Sequence, residues 1–97
     1  MFHKVKSVSA LPEFKLSVQF SEGVTKIYDV APLFDKWSMF APLKDNPELF
    51  YTVEVDVGGY GIIWGDEADI SCDELWANGE VVETPFDGLM SFGDATT

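Results

Sequence analysis

The sequence predicts one α+β domain in which a mostly antiparallel sheet is covered by short helices. The first observation is the run from Phe14 to Phe20, where every second residue is apolar, as in a strand with one buried face. The second is a helix-start signal at Ser71–Glu74. The third is size, because 97 residues, of which 46% are apolar, can build one core without a disulfide.

The first half of the sheet is predicted from a strand and a hairpin. A strand over residues 2–10 comes first, and the odd spacing of Val5 and Val8 indicates a bulge or a twist in it. A hairpin over residues 14–30 follows. Its turn falls at Gly23, because glycine supplies the positive φ that tight turns need.

A second hairpin is predicted over residues 52–64. Valines alternate with polar residues from Thr52 to Val57, so we expect Val53, Val55 and Val57 to share one face. The glycines of segment 58–61 predict the turn, and Ile62–Trp64 the returning strand. Residues 80–85 could add a further strand at the edge of the sheet.

Short helices are predicted near residues 32–37, 39–50 and 72–78. Pro32 suits the first turn of a helix, where its missing N–H costs nothing. Asn46 is expected to cap the turn that Pro47 begins.

The helix 72–78 has the clearest boundary signals. Ser71 and Glu74 form a capping box, in which each side chain is expected to accept from the backbone N–H of the other. Gly79 marks the end of the helix.

One domain over residues 1–80 is expected, followed by an acidic C-terminal extension over residues 81–97 that is partly mobile. Cys72 is the only cysteine, which favours a reducing compartment. The first six residues carry charges where a signal peptide has an apolar run, so the expected location is the cytoplasm.

Charge is distributed unevenly along the chain. Residues 1–44 hold all six lysines and four acids, whereas residues 45–97 hold thirteen acids, no lysine and no arginine. Nucleic-acid and anionic-membrane binding draw on Lys and Arg, so neither partner is expected. A basic protein or an apolar surface is favoured, although solubility alone is an alternative explanation of the excess charge.

No catalytic, cofactor or metal site is assigned. Cys72 lies beside Asp73 and Glu74, which oppose thiolate formation, so we interpret it as a packing residue. The acids between Asp66 and Glu74 are explained by loop solvation and helix capping. A Ca²⁺ site is the alternative, but the segment lacks the glycine and distal glutamate of an EF-hand loop.

Aromatic side chains are numerous for so small a core, and one or two are expected to anchor a partner. The acids after the last strand of the second hairpin complete the candidate surface. The candidate partner-binding residues are Trp37, Phe40, Trp64, Asp66, Glu67 and Asp69.

Several stretches together resemble one bacterial family, the domain of unknown function 2442. They are Lys4–Val8, Tyr28–Phe34, Phe40–Phe50, Ile62–Gly65 and Ala68–Ser71. The resemblance covers roughly residues 2–78 and implies an α+β fold with no established enzymatic activity and no agreed catalytic residues. The chain departs from the family pattern at Gly65, where relatives often have proline.

The resemblance also implies two kinds of function. Some relatives are fused to a helix-turn-helix domain, and others are encoded beside a small proposed toxin, which implies an antitoxin-like role. The first hypothesis is therefore a protein-interaction module, the antitoxin-like partner of a basic protein. The alternative is a ligand-sensing or regulatory domain without its own DNA-binding part, and an enzyme is the third. An exposed strand edge could also pair two copies of the chain.

Overall fold

Every strand pairing in the described part of the chain, residues 3–66 and 68–82 of the computed structural model, is antiparallel. The strands form one four-stranded and one three-stranded sheet, and short helices connect and cover them. The predicted α+β class is confirmed.

The four-stranded sheet has the order β1-β2-β3-β7. Its strands are β1 (Val5–Leu11), β2 (Lys15–Phe20), β3 (Thr25–Asp29) and β7 (Glu80–Val81). The register of β1 against β2 shifts between Val5 and Ser7, which is the irregularity that the valine spacing predicted. Gly23, with φ of 93°, lies between β2 and β3 as expected.

The three-stranded sheet contains β4 (Glu54–Val55), β5 (Gly61–Trp64) and β6 (Ala68–Ser71), in that order. The predicted hairpin is present, but β4 is much shorter than the alternation suggested. The prediction that Val57 shares one face with Val53 and Val55 is wrong, because Val57 lies beyond β4 and is 91% exposed.

The backbone at Asp56 explains why β4 ends early. The Asp56 carboxylate accepts a hydrogen bond from the N–H of Val57 at 2.8 Å, and a 3-10 turn, Val57–Gly59, begins there. Gly58 and Gly59 both have positive φ, which residues with a side chain adopt at a cost. The turn therefore removes Val57 from the strand.

Strand β6 was not predicted. Its residues lie where the sequence suggested only a loop and a helix start. They pair with β5 from Gly61↔Ser71 to Trp64↔Ala68. Ala68 and Ile70 are buried while Asp69 and Ser71 are exposed, which is the alternation of a half-buried strand.

The helical segments are short. In the described residues they comprise four 3-10 turns, Pro12–Phe14, Ala31–Asp35, Ser38–Phe40 and Val57–Gly59, and three helices, α1 (Ala41–Asp45), α2 (Pro47–Phe50) and α3 (Cys72–Asn78). Asn46 occupies the predicted N-cap position before Pro47, but its side chain does not cap α2, because its amide donates back to the carbonyl of Pro42 at 3.1 Å.

Helix α3 begins and ends at the predicted residues, but only half of its capping box forms. Ser71 Oγ accepts from the N–H of Glu74 at 3.2 Å. The Glu74 carboxylate instead accepts from the hydroxyl of Tyr28 at 2.7 Å and from Asn78 at 2.9 Å. The acid therefore joins α3 to β3 and does not return to its own cap.

Trp64 lies at the centre of the packing between the second sheet and the helices. Its indole N–H donates to the carbonyl of Phe50 at 2.9 Å. Its ring lies against those of Phe50 and Phe40, with centroids 5.8 and 6.2 Å away. All three side chains are buried, so this contact attaches the helical segment 38–50 to β5.

Lys26 of β3 attaches α3 to the first sheet. It is largely buried, its ammonium donates to the carbonyl of Trp76, and its Nζ lies 4.1 Å from the centroid of the Trp76 ring. The ammonium thus satisfies a carbonyl of the last turn of α3 and meets the negative end of the helix dipole. His3 stacks on Trp76 with centroids 3.6 Å apart.

Among residues 3–66 and 68–82, no helix is long and apolar enough to cross a membrane.

The start of the predicted acidic extension belongs to the first sheet. Residues 81 and 82 extend this sheet, since Val81 pairs with Lys26 and the N–H of Val82 bonds the carbonyl of Thr25 at 3.0 Å. The rest of the predicted acidic extension, residues 83–97, lies outside the described residues.

Replacing Lys26 tests how α3 is attached. We expect Lys26→Met to lower the free energy of unfolding by about 1–3 kcal/mol, because the aliphatic stem remains while a buried carbonyl loses its donor. Lys6→Met, at an exposed position of β1, is the control and should change it by less than about 0.5 kcal/mol. Urea unfolding of the wild type and the two variants measures both changes. Equal stabilities of the wild type and Lys26→Met would contradict the attachment of α3 through Lys26.

Candidate interaction groove

A groove of about 350 Å³ has the 3-10 turns Ala31–Asp35 and Ser38–Phe40 on one side and β6 with α3 on the other. We call it the interaction groove. The residues that matter most in its lining are Leu33, Lys36, Trp37, Met39, Asp69 and Glu74.

Local hydrogen bonds fix the apolar side of the interaction groove. The N–H of Trp37 bonds the carbonyl of Leu33 at 2.9 Å, and the N–H of Phe40 bonds the carbonyl of Trp37 at 3.1 Å. Phe40 then turns into the core, whereas Trp37 and Met39 remain 57% and 42% exposed. Two large apolar side chains are therefore held at the surface next to β6.

Carboxylates line the other side. Asp69 is exposed on β6, between the buried side chains of Ala68 and Ile70. A second recess, of about 350 Å³, continues the groove past Met39 and Asp69 to Asp66. This end of the interaction groove has two carboxylates and no lysine in its described lining.

The opposite end of the interaction groove, next to Tyr28, contains a lysine as well as carboxylates. A recess of about 270 Å³ there is lined by Tyr28, Asp29, Lys36 and Glu74, among others. The Tyr28 hydroxyl donates to Glu74, and burial, followed by the bond to and the charge of Glu74, raises the pKa of Tyr28. Tyr28 therefore stays protonated and holds the Glu74 carboxylate in place.

The predicted partner-binding residues divide into three groups. Trp37, Asp66 and Asp69 line the interaction groove or its continuation. Phe40 borders the groove but is only 2% exposed, and Trp64 is 0% exposed, which corrects the expectation that they offer surface to a partner. Their rings pack against each other to hold segment 38–50. Glu67 lies outside the described residues.

Met39 and Glu74 are groove residues that the sequence did not single out. Met39 lies two positions after Trp37, on the exposed side of a turn whose third residue is buried. No periodic pattern marks it. Glu74 was assigned to the helix cap, and its contact with Tyr28 spans 46 residues, which local signals do not reveal.

Cys72 is buried, and burial, with the nearby Asp73 charge, raises the pKa of its thiol. In the described part of the chain, no three His, Cys, Asp or Glu side chains come together as a metal site would require.

The fold and groove define a class of protein: a small α+β domain with two antiparallel sheets and a surface groove that has exposed apolar side chains and Lys36 on one side and carboxylates on the other. The chain belongs to the family described as protein of unknown function, DUF2442, whose model matches residues 5–81. No curated protein and no solved structure was found to match it.

Removing the Tyr28 hydroxyl tests the link between α3 and β3. We expect Tyr28→Phe to lower the free energy of unfolding at pH 7 by about 1–2 kcal/mol, because a partly buried hydrogen bond to a carboxylate is lost. The pKa of Tyr28 is raised in the folded protein, so its contribution is complete below the ordinary tyrosine pKa and declines above pH ~10.

The stability difference between the wild type and Tyr28→Phe should therefore shrink as the pH rises above ~10. Urea unfolding of both proteins from pH 7 to 11 measures this difference. A difference that stays constant or grows with pH would contradict the assignment.

Proposed function

We propose that this domain is a protein-interaction module that binds a basic protein. The observation that carries the proposal is the interaction groove, where exposed Trp37 and Met39 face the carboxylates of Asp66 and Asp69. Large apolar side chains held at a surface beside polar groups are typical of protein-binding sites.

Charge supports a basic partner in particular. The chain has a formal net charge of −11, and all lysines precede residue 45. A field of this sign accelerates encounter with cationic surfaces and disfavours nucleic acid and anionic lipid. Asp69 is exposed at the groove, so a partner's cation can reach it from solvent.

The proposal assigns the module a binding role and no catalytic step. The most specific form of this proposal is that the domain is the antitoxin-like partner of a small basic protein encoded by a neighbouring gene. The unpaired thiol of Cys72 supports the reducing cytoplasm as the compartment.

A ligand-sensing domain is the second candidate. The observation that favours it is the recess beside Tyr28, where the Tyr28–Glu74 bond presents fixed polar groups beside the apolar Leu33. Sites of this kind combine apolar lining with a few placed polar groups, although about 270 Å³ is small for one.

Co-purification tests the main proposal. The tagged chain is expressed together with the products of its neighbouring genes and recovered at low salt. We expect a stoichiometric partner of high isoelectric point, and the affinity for that purified partner should fall by at least about tenfold between 50 and 300 mM NaCl, since salt screens exposed charges.

Recovery of no stoichiometric protein would contradict the proposal, and so would an acidic partner or a complex insensitive to salt. A change in melting temperature with a metabolite library, in the absence of any protein partner, would favour the ligand-sensing candidate.

A further inference from the structure

We propose that the interaction groove binds an extended segment of the basic partner through an arginine whose guanidinium stacks on Trp37 and pairs with Asp69. An aliphatic side chain of the same segment packs on Met39. This inference rests on the proposed function and adds to it the site and the chemistry of recognition.

Trp37 supplies the stacking surface. Trp37 as a whole residue is 57% exposed, and it lines the interaction groove together with Asp69. Tryptophan is the strongest aromatic partner for a cation, and the planar guanidinium of arginine stacks on it in a way that the lysine ammonium does not.

Asp69 supplies the countercharge. Neither of the ion pairs found among residues 3–66 and 68–82 involves it, and its side chain projects from the exposed face of β6. A carboxylate can accept two parallel hydrogen bonds from the N–H groups of one arginine guanidinium. Lys36 lines the groove towards Tyr28, so the end next to Asp66 and Asp69 is the anionic one.

The backbone of β6 favours an extended segment. Among the described strands, β6 pairs with β5 alone. In an antiparallel ladder, hydrogen-bonded and non-hydrogen-bonded residue pairs alternate. The N–H of Cys72 bonds the carbonyl of Tyr60 at 2.8 Å, so Tyr60 and Cys72 form a hydrogen-bonded pair, and Ile63 and Asp69 form a non-hydrogen-bonded one. By this alternation, the N–H and C=O of Asp69 point away from β5, where an added strand would bond them.

Peptide titration of the isotopically labelled full chain tests the inference. The probe is a blocked seven-residue peptide with a central arginine between two leucines and serines elsewhere, at low salt. We expect backbone NMR shifts to change at residues 37–39 and 68–71. Replacing the arginine by lysine should weaken binding by about threefold, and replacing it by uncharged citrulline should weaken it further.

Matched variants separate the groove from general charge and hydrophobicity. Trp37→Ala should weaken binding by at least about threefold, whereas Tyr51→Ala, at another aromatic that is also 57% exposed, should leave it unchanged. Asp69→Asn should weaken binding similarly, and Glu54→Gln, an exposed acid on β4 of the same sheet, should not.

The backbone contact has its own control. A peptide methylated at the backbone nitrogens of the arginine and of the residue after it lacks the N–H groups that could bond the Asp69 carbonyl in an antiparallel or a parallel added strand, and it should bind more weakly. Equal binding of this peptide would overturn the extended mode. Equal binding by Trp37→Ala and Tyr51→Ala, or by Asp69→Asn and Glu54→Gln, would overturn the groove as the site, as would the absence of any shift at these residues.

Failure of this inference is distinguishable from failure of the proposed function. If a basic partner co-purifies but binds all four variants equally, the domain binds a basic protein through another surface. If no basic protein co-purifies in any form, the proposed function itself is wrong.

Discussion

The hydrogen bond from the Trp64 indole to the carbonyl of Phe50, together with the packing of the two rings, is the interaction on which the exposed surface depends. Segment 38–50 consists of one 3-10 turn and two helices of five and four residues, and helices this short are not stable alone. Their position comes from burial of Phe40, Leu43 and Phe50 against the sheets. Because Trp37 directly precedes that anchored segment and Met39 lies within it, their exposure beside β6 is a consequence of the core.

A second attachment forms the other side of the interaction groove. Lys26 and Tyr28 of β3 hold α3 at its last and first turns, through the carbonyl of Trp76 and the carboxylate of Glu74. Ser71 ends β6 and caps α3, so no loop separates the strand from the helix. Helix α3, with Glu74, is thus fixed to the first sheet, whereas Asp69 lies on β6 of the second sheet, to which segment 38–50 is also attached.

The sequence predicted best the elements whose signals are local. The bounds of α3 follow from Ser71 and Gly79, and the β2–β3 hairpin from alternation and a glycine turn. Strand β6 was missed because its alternation covers only four residues and lies within a run of acids that also suits a loop. Val57 was placed wrongly because nothing in the valine pattern shows that Asp56 begins a turn.

The candidate surface was predicted only in part, and for a physical reason. An aromatic side chain suits a core and an interface equally, so the sequence could not separate exposed Trp37 from buried Phe40 and Trp64. That separation depends on which rings meet across segments distant in the chain. The unequal distribution of charge, by contrast, is visible in the sequence and agrees with the carboxylates found at one end of the groove.

Amide hydrogen exchange on Trp64→Phe tests the central claim most directly. The substitution keeps an aromatic ring and removes the indole donor. The account predicts that amides bonded within segment 38–52, such as those of Leu49 and Thr52, lose more protection than amides paired between β2 and β3. Equal loss in both regions, or no loss in the segment, would contradict the claim that this one contact holds the exposed side of the groove in place.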